Sequence, residues 1–353
     1  MIKTLKEWGF PQAYQNIFPH FIPARIIRAH RQKYEVASSA GLFQADLAGK
    51  LMFLADDPSE LPQVGDWVAI QPLDDTHAYI MERYERRAVL SRAKVGGFGS
   101  EQVLAAHVDL AIIVQSMDQN YNLNRLERYL VQIRACEIQP AILLTKSDLC
   151  TPEELAQKLQ EVQQIAGEAR VLQYSLFQED LNPILDLWPA GQTAVVVGSS
   201  GVGKSSLVNR LLGQEIMETS AISHSNQKGR HTTSHRELVQ LVNGAFLIDT
   251  PGTREFGLSQ SGEALEMTFE EIAELADSCK FRGCSHQHEP GCAVQEALED
   301  GRLEWRRWES YQKLQREQEH FAMDKVNRRK KDKALGKMYR AIQGESRKRK
   351  GRS

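Results

Sequence analysis

One nine-residue run, Gly198-Ser199-Ser200-Gly201-Val202-Gly203-Lys204-Ser205-Ser206, fits the pattern G-x-x-x-x-G-K-[S/T]. Its glycines let the backbone curl so that successive N–H groups face phosphate oxygens, and a helix N-terminus behind them favours negative charge. The flanks carry the context this chemistry needs: an apolar, strand-like Thr193–Val197 precedes the run and a helical pattern, Ser205–Leu212, follows it. Lys204 is therefore expected to reach the β- and γ-phosphates of a nucleotide, with the Ser205 hydroxyl on Mg2+. Asp249-Thr250-Pro251-Gly252 follows another strand-like stretch, Gly244–Ile248. An aspartate at that strand end is placed to support the Mg2+ shell, and the Gly252 amide to sense a γ-phosphate.

Base selection points to Thr145-Lys146-Ser147-Asp148, which follows the apolar run Ile142–Leu144. A carboxylate at Asp148 can accept both the N1–H and the exocyclic amine of guanine, a donor pair that adenine lacks, so GTP is expected over ATP. The Lys146 stem can lie along the base. GTPases usually carry Asn where this chain has Thr145, so one orienting contact is expected to be weaker. Tyr174-Ser175-Leu176 falls where backbone should close over the guanine. The order of the motifs is informative: ordinary GTPases place the phosphate loop first and the base-reading motif late, whereas here 145–148 precedes 198–206. That is a circular permutation, which a parallel sheet tolerates when it is re-cut at surface loops.

A second chemistry lies further on. Cys279, Cys284 and Cys292, with His286 or the neighbouring His288, give C-x4-C-x-H-x5-C or a close variant. Three thiolates and one imidazole fit a closed tetrahedral Zn2+ site of structural type, with no open position for catalysis. Pro290-Gly291 supplies the turn that returns Cys292. Cys136 and Cys150 have no such company, and five cysteines, an odd number, in a chain expected to be intracellular argue against disulfides.

These residues need scaffolds. From about residue 22 to 95 short runs (Arg25–Ala29, Lys33–Ala37, Leu51–Leu54 and the strand fed by the turn at 62–66) are punctuated by Gly or Pro, as expected for a small OB-type barrel. Gly96–Ser100 looks like a flexible junction. The rhythm then alternates: apolar runs at 108–114, 140–144, 171–175, 193–197 and 244–248 read as buried parallel strands, with helices at 126–136 and after the Thr151 cap. The fold class expected is multi-domain α/β. An OB-like β-barrel spans residues 1–100, a circularly permuted P-loop domain with a doubly wound sheet 101–262, and a zinc-binding helical module 263–324. A flexible basic tail follows at 325–353. The net charge of −2 hides this layout: the tail carries 13 Lys and Arg against two acids, while residues 1–324 carry 31 against 44. An acidic body with a basic tail suits contact with nucleic acid phosphates. No apolar run spans a bilayer, and a soluble, cytoplasmic protein is expected.

The permuted motif order, the preceding barrel and the Cys/His cluster together resemble the ribosome small-subunit-dependent GTPase A family, which comprises bacterial, zinc-containing GTPases of 30S maturation. The likeness covers nearly the whole chain. It implies a monomeric GTP hydrolase with GTP/GDP, Mg2+ and one structural Zn2+, acting on the 30S subunit and its 16S rRNA. It also implies that His286 and not His288 is the fourth zinc ligand. The family's switch pattern G-R-H-T-T is present as Gly229-Arg230-His231-Thr232-Thr233. By resemblance Thr232 or Thr233 completes the γ-phosphate and Mg2+ shell, with Thr233 as the expected magnesium residue.

Many GTPases carry Gln directly after the D-x-x-G glycine, and here Thr253 stands there, too short to orient water. Slow intrinsic turnover is expected, completed by the bound subunit, with His231 as the candidate water-orienting residue. The alternative reading is an rRNA-binding checkpoint factor that uses GTP mainly as a conformational ligand. A P-loop kinase is disfavoured by residues 145–148.

Overall fold

Alternating apolar and polar residues in the first third of the chain produce strands, and in this computed structural model the strands close on themselves. The structure describes residues 3–30, 33–55, 57–93, 101–177, 180–213, 236–249, 262–320 and 322. Strands β1 (Ile22–His30), β2 (Lys33–Ser38) and β3 (Gly41–Leu47) form a meander. Helix α1 (Gly49–Leu54) leads to β4 (Trp67–Pro72) and β5 (His77–Arg83). β5 runs antiparallel to β4 and parallel to β3, and β4 pairs with β1, so no edge is left open. Five strands in the order 1-2-3-5-4-1 make an OB-type barrel. The period of two is clean in β3, where Phe43, Ala45 and Leu47 are buried while Leu42, Gln44 and Asp46 face out.

One expectation fails here. Leu51–Leu54 reads as a strand, but it lies in α1, and Phe53 and Leu54 stand exposed. A four-residue apolar run carries no period that separates strand from helix. The barrel is completed instead by β3 and β5.

The hairpin β6 (Leu90–Ala93) and β7 (Glu101–Ala105) flanks residues 94–100, and the expected junction at 96–100 lies outside the described residues. Then follow β8 (Leu110–Ser116), α2 (Leu123–Ala135), β9 (Gln139–Thr145), α3 (Pro152–Ala166), β10 (Arg170–Tyr174), α4 (Asn182–Leu185), β11 (Thr193–Val197), α5 (Lys204–Leu212), β12 (Glu237–Gln240) and β13 (Phe246–Asp249). The sheet order is 10-9-8-11-13-12, parallel throughout except for β12. β8 and β11 are buried along their whole length, with an apolar layer on each face of the sheet. α2 starts earlier than its apolar pattern, because the Asn122 side chain accepts from Arg125 N and caps it. α3 opens on the expected Thr151 cap, reinforced by Glu154 into a capping box. The barrel joins this sheet through β1 and β12, where Arg28 faces Glu237.

Four helices follow: α6 (Gly262–Thr268), α7 (Glu270–Asp277), α8 (Ala293–Glu299) and a last helix, α9, over residues 305–320. Their apolar core includes Val131 of α2, so the module packs on the nucleotide domain. A buried carboxylate fastens it. Glu127 of α2 is fully buried and accepts from Arg306 and Arg307, each at 2.9 Å, and from the Ser310 hydroxyl. Among the described residues, no helix is long and apolar enough to cross a membrane.

Candidate nucleotide and metal sites

β8 and β11 are neighbours, but their onward connections leave to opposite sides, β8 to β9 and β11 to β13. Ligands of open α/β sheets bind at such a switch point, beyond the carboxyl ends of the strands. The loop 198–203 lies there. Gly198, Gly201 and Gly203 have φ of 145°, 80° and 95°, and a Cβ on Gly198 would sit 2.4 Å from Val114 O of β8. Only glycine lets the loop turn this close to the neighbouring strand. Gly203 caps α5, and Lys204, its first residue, donates from Nζ to Gly198 O at 2.8 Å and Ser199 O at 2.5 Å. The ammonium thus spans the loop mouth. Ser200 is exposed, Val202 buried, and Ser205 and Ser206 half-buried in the first turn. The Ser199 hydroxyl is buried and makes no hydrogen bond among the described residues.

The tetrapeptide 145–148 is fastened to this loop. Thr145 is buried at the end of β9, and its hydroxyl donates to Val202 O at 2.6 Å. The short threonine side chain reaches the loop because the Val202 carbonyl lies this close to the end of β9. Lys146, at φ 59°, donates to Gly201 O at 2.8 Å and to Asp118 at 2.6 Å. It caps a short 3-10 helix, Ser147–Leu149, that carries Asp148. Asp148 Oδ1 accepts from the Ser175 hydroxyl at 2.6 Å, which brings the 174–176 segment to that carboxylate. Arg210 of α5 donates to Leu176 O at 2.5 Å and ties that segment to the phosphate-loop helix. Asp118 and Arg210 belong to no motif, and their partners are far away in sequence, so nothing in the sequence marked them.

Asp249 ends β13, next to β11 in the sheet. Gly252, Thr253 and the switch residues Gly229–Thr233, including His231, Thr232 and Thr233, lie outside the described residues, as does the tail from 325.

Cys279, Cys284, His286 and Cys292 converge, with their ligand atoms all within 4.8 Å of one another. For tetrahedral Zn2+ with bonds of about 2.3 Å to sulfur and about 2.0–2.1 Å to nitrogen, sulfur–sulfur edges are about 3.8 Å and sulfur–nitrogen edges about 3.6 Å. Here Cys279 and Cys292 sulfurs are 3.9 Å apart, and His286 Nδ1 is 3.5 and 3.4 Å from them. The donor set fits the ion, and His288 is not in it. The loop is held from outside by Glu289, whose carboxylate accepts from the Ser285 hydroxyl and from the amides of Ser285, Gln287 and His288, bonds that hold it well below the usual carboxylate range. Gln295 donates to His286 O at 2.5 Å, and His286 stands edge-on to Trp308. Cys136 caps α2 and Cys150 follows the 3-10 helix, both apart from the cluster.

Comparison with known proteins agrees with this geometry. Residues 83–259 match the RsgA GTPase family. A "Small ribosomal subunit biogenesis GTPase RsgA" of Opitutus terrae is 41% identical over 341 residues, covering 90% of this chain and 91% of its own. A second, "RsgA 1" of Bacteroides thetaiotaomicron, is 41% identical over 345 residues, 96% of each chain. Among solved structures, YloQ, "a circularly permuted GTPase", is 30% identical with a TM-score of 0.61, over 86% of this chain and 97% of that one. YjeQ from Thermotoga maritima is 25% identical with a TM-score of 0.62, over 84% and 98%. With a permuted sheet, a phosphate loop at its switch point and relatives alike along almost its full length, the chain belongs to the RsgA GTPase family.

Proposed function

We propose that the chain hydrolyses GTP in the maturation of the small ribosomal subunit, binding the 30S particle through its 16S rRNA. The observation that carries the nucleotide half is the fastening of the base-reading loop to the phosphate loop, Thr145 on Val202 O and Lys146 on Gly201 O. The name borne by the relatives supports the partner half.

On this reading the amides of 198–203 cradle the phosphates, with Ser206 in the first turn behind them, and Lys204 leaves its loop carbonyls to meet the β- and γ-oxygens. Asp148 accepts the guanine edge, while Lys146 and Ser147 frame it. Ser205, Thr233 and Asp249 would hold Mg2+, which neutralises charge on the phosphate oxygens. Gly252 and Thr232 sense the γ-phosphate, and His231 orients the attacking water. The Cys279, Cys284, His286 and Cys292 set holds one structural Zn2+ that shapes the helical module.

Residues 1–100 form the RNA-facing barrel, 101–262 the permuted nucleotide domain and 263–324 the zinc module. The tail from 325 contacts phosphates with strong salt dependence. A monomer working in the cytoplasm fits these parts.

Two assays test the reading. Labelled GTP should be displaced by GDP and not by a large excess of ATP, and the GTP-loaded chain should co-sediment with purified small subunits. Displacement by ATP, or no co-sedimentation, removes the corresponding half.

A further inference from the structure

The ammonium of Lys146 has two partners, and only one lies on a nucleotide-binding loop. Besides Gly201 O, its Nζ lies 2.6 Å from Asp118 Oδ2. Asp118 stands just beyond the end of β8. Its other oxygen accepts from the Ser116 hydroxyl at 2.7 Å and from Asn120 N at 2.9 Å, so the carboxylate is fixed by its own strand end. The Asp118 and Lys146 side chains are 21% and 32% exposed, shielded enough for the pair to be screened less than one on open surface. Burial opposes ionisation of Asp118, but the bonds from Lys146, Ser116 and Asn120 outweigh it and hold the group down at about 2. It stays a carboxylate throughout the physiological range.

Lys146 needs such an anchor. Its left-handed backbone is one that a residue with a side chain adopts only when its surroundings enforce it, and it caps the turn bearing Asp148. We propose that Asp118 is a positioning residue of the guanine site: its carboxylate pins the Lys146 ammonium against the Gly201 carbonyl, joining the base-reading and phosphate loops into one receptor before nucleotide arrives. The proposal rests on the guanine reading above. It adds the end of β8 to a site whose other parts come from the ends of β9, β10, β11 and β13. Both oxygens of Asp118 are engaged, which makes the group an anchor and leaves proton transfer to others. Its contribution is made equally to ground and transition states, so it acts on nucleotide affinity and not on turnover at saturation.

The test uses the full chain with Asp118→Ala, Asp118→Asn, Lys146→Met and the double variant Asp118→Ala/Lys146→Met. Binding of fluorescent GDP, competition by GTP and ATP, and steady-state hydrolysis are measured, with a thermal melt of each variant. Losing one charge-assisted bond should weaken GTP and GDP binding about tenfold and raise KM to match, with kcat changed by less than about twofold. Asp118→Asn, which keeps an acceptor for Asn120 N but no charge, should fall between, and it carries the test if the alanine variant melts early. In the Lys146→Met background, Asp118→Ala should add no further loss. Unchanged affinity in both Asp118 variants overturns the proposal, and so does an equal loss with and without Lys146. Equal wild-type affinity for ATP and GTP would instead overturn the guanine reading, which the competition arm reports separately.

Discussion

The guanidinium of Arg25, buried in the barrel wall, donates to the hydroxyl of Thr193 at 2.5 Å, and Thr193 is the first residue of the strand that ends in the phosphate loop. The same guanidinium donates to Trp8 O at 2.9 Å and to Gly65 O at 3.3 Å. Burial depresses its basicity to about 10, partly offset by Asp109 and Asp66, so it remains a cation inside the joint between barrel and nucleotide domain. Thr193→Val removes the hydroxyl while keeping the shape and leaves one guanidinium donor unpaired. A loss of about 1–3 kcal/mol in denaturant unfolding is expected, with Thr193→Ser restoring most of it.

Glu127 makes the other joint. Its carboxylate is fully buried between Arg306, Arg307 and Ser310. Removing it leaves the buried Arg307 with only its bonds to Glu271 and Thr268 O. Glu127→Ala should cost about 3–5 kcal/mol. Hydrogen exchange should locate the loosening in α9 and α2, with the barrel strands protected as before.

Much of this architecture was legible in advance, for identifiable reasons. The loop 198–206, the tetrapeptide 145–148 and the Cys/His cluster are each written in a contiguous stretch whose spacing mirrors the chemistry expected of it. Thr193–Val197 was readable as a strand because a fully buried parallel strand is uniformly apolar. Strand β12, only Glu237–Gln240, is too short and too polar to show a period. Leu51–Leu54 misleads because four apolar residues have no period at all. Spacing alone left His286 and His288 open, and the fold decides by pointing Nδ1 of His286 at two of the sulfurs. Asp118 and Glu127 stayed invisible because each is explained by a partner that only the fold brings near: Lys146, and a pair of arginines some 180 residues on.

Part of the acid sensitivity should be traceable to one buried imidazole. His107 links the barrel to β8, is buried, and has both ring nitrogens without a hydrogen bond among the described residues. Burial pushes it down to about 4 from an ordinary 6.5, with Asp66 only partly opposing. Between these values the unfolded chain binds the proton and the folded chain does not, so stability is lost as pH falls from about 6.5 towards 4. The melting temperature should drop over that interval, and His107→Gln should flatten its dependence on pH.

Metal content offers a further check. One zinc per chain is expected by elemental analysis, and none in Cys279→Ser/Cys292→Ser. Because α7, α8 and α9 share their core with the cluster, the variant or chelator-treated chain should lose the helical module's cooperative unfolding while still binding GDP.

The central claim is that a nucleotide site preassembled by residues 145–148 and 198–206 turns over in response to the small ribosomal subunit. Single-turnover hydrolysis of radiolabelled GTP by the intact chain, with and without purified small subunits, tests it most directly. The account predicts a slow intrinsic rate raised at least about tenfold by subunits, a barrier change of about 1.4 kcal/mol or more. Equal rates with subunits demonstrably bound would contradict it and leave GTP as a conformational ligand only.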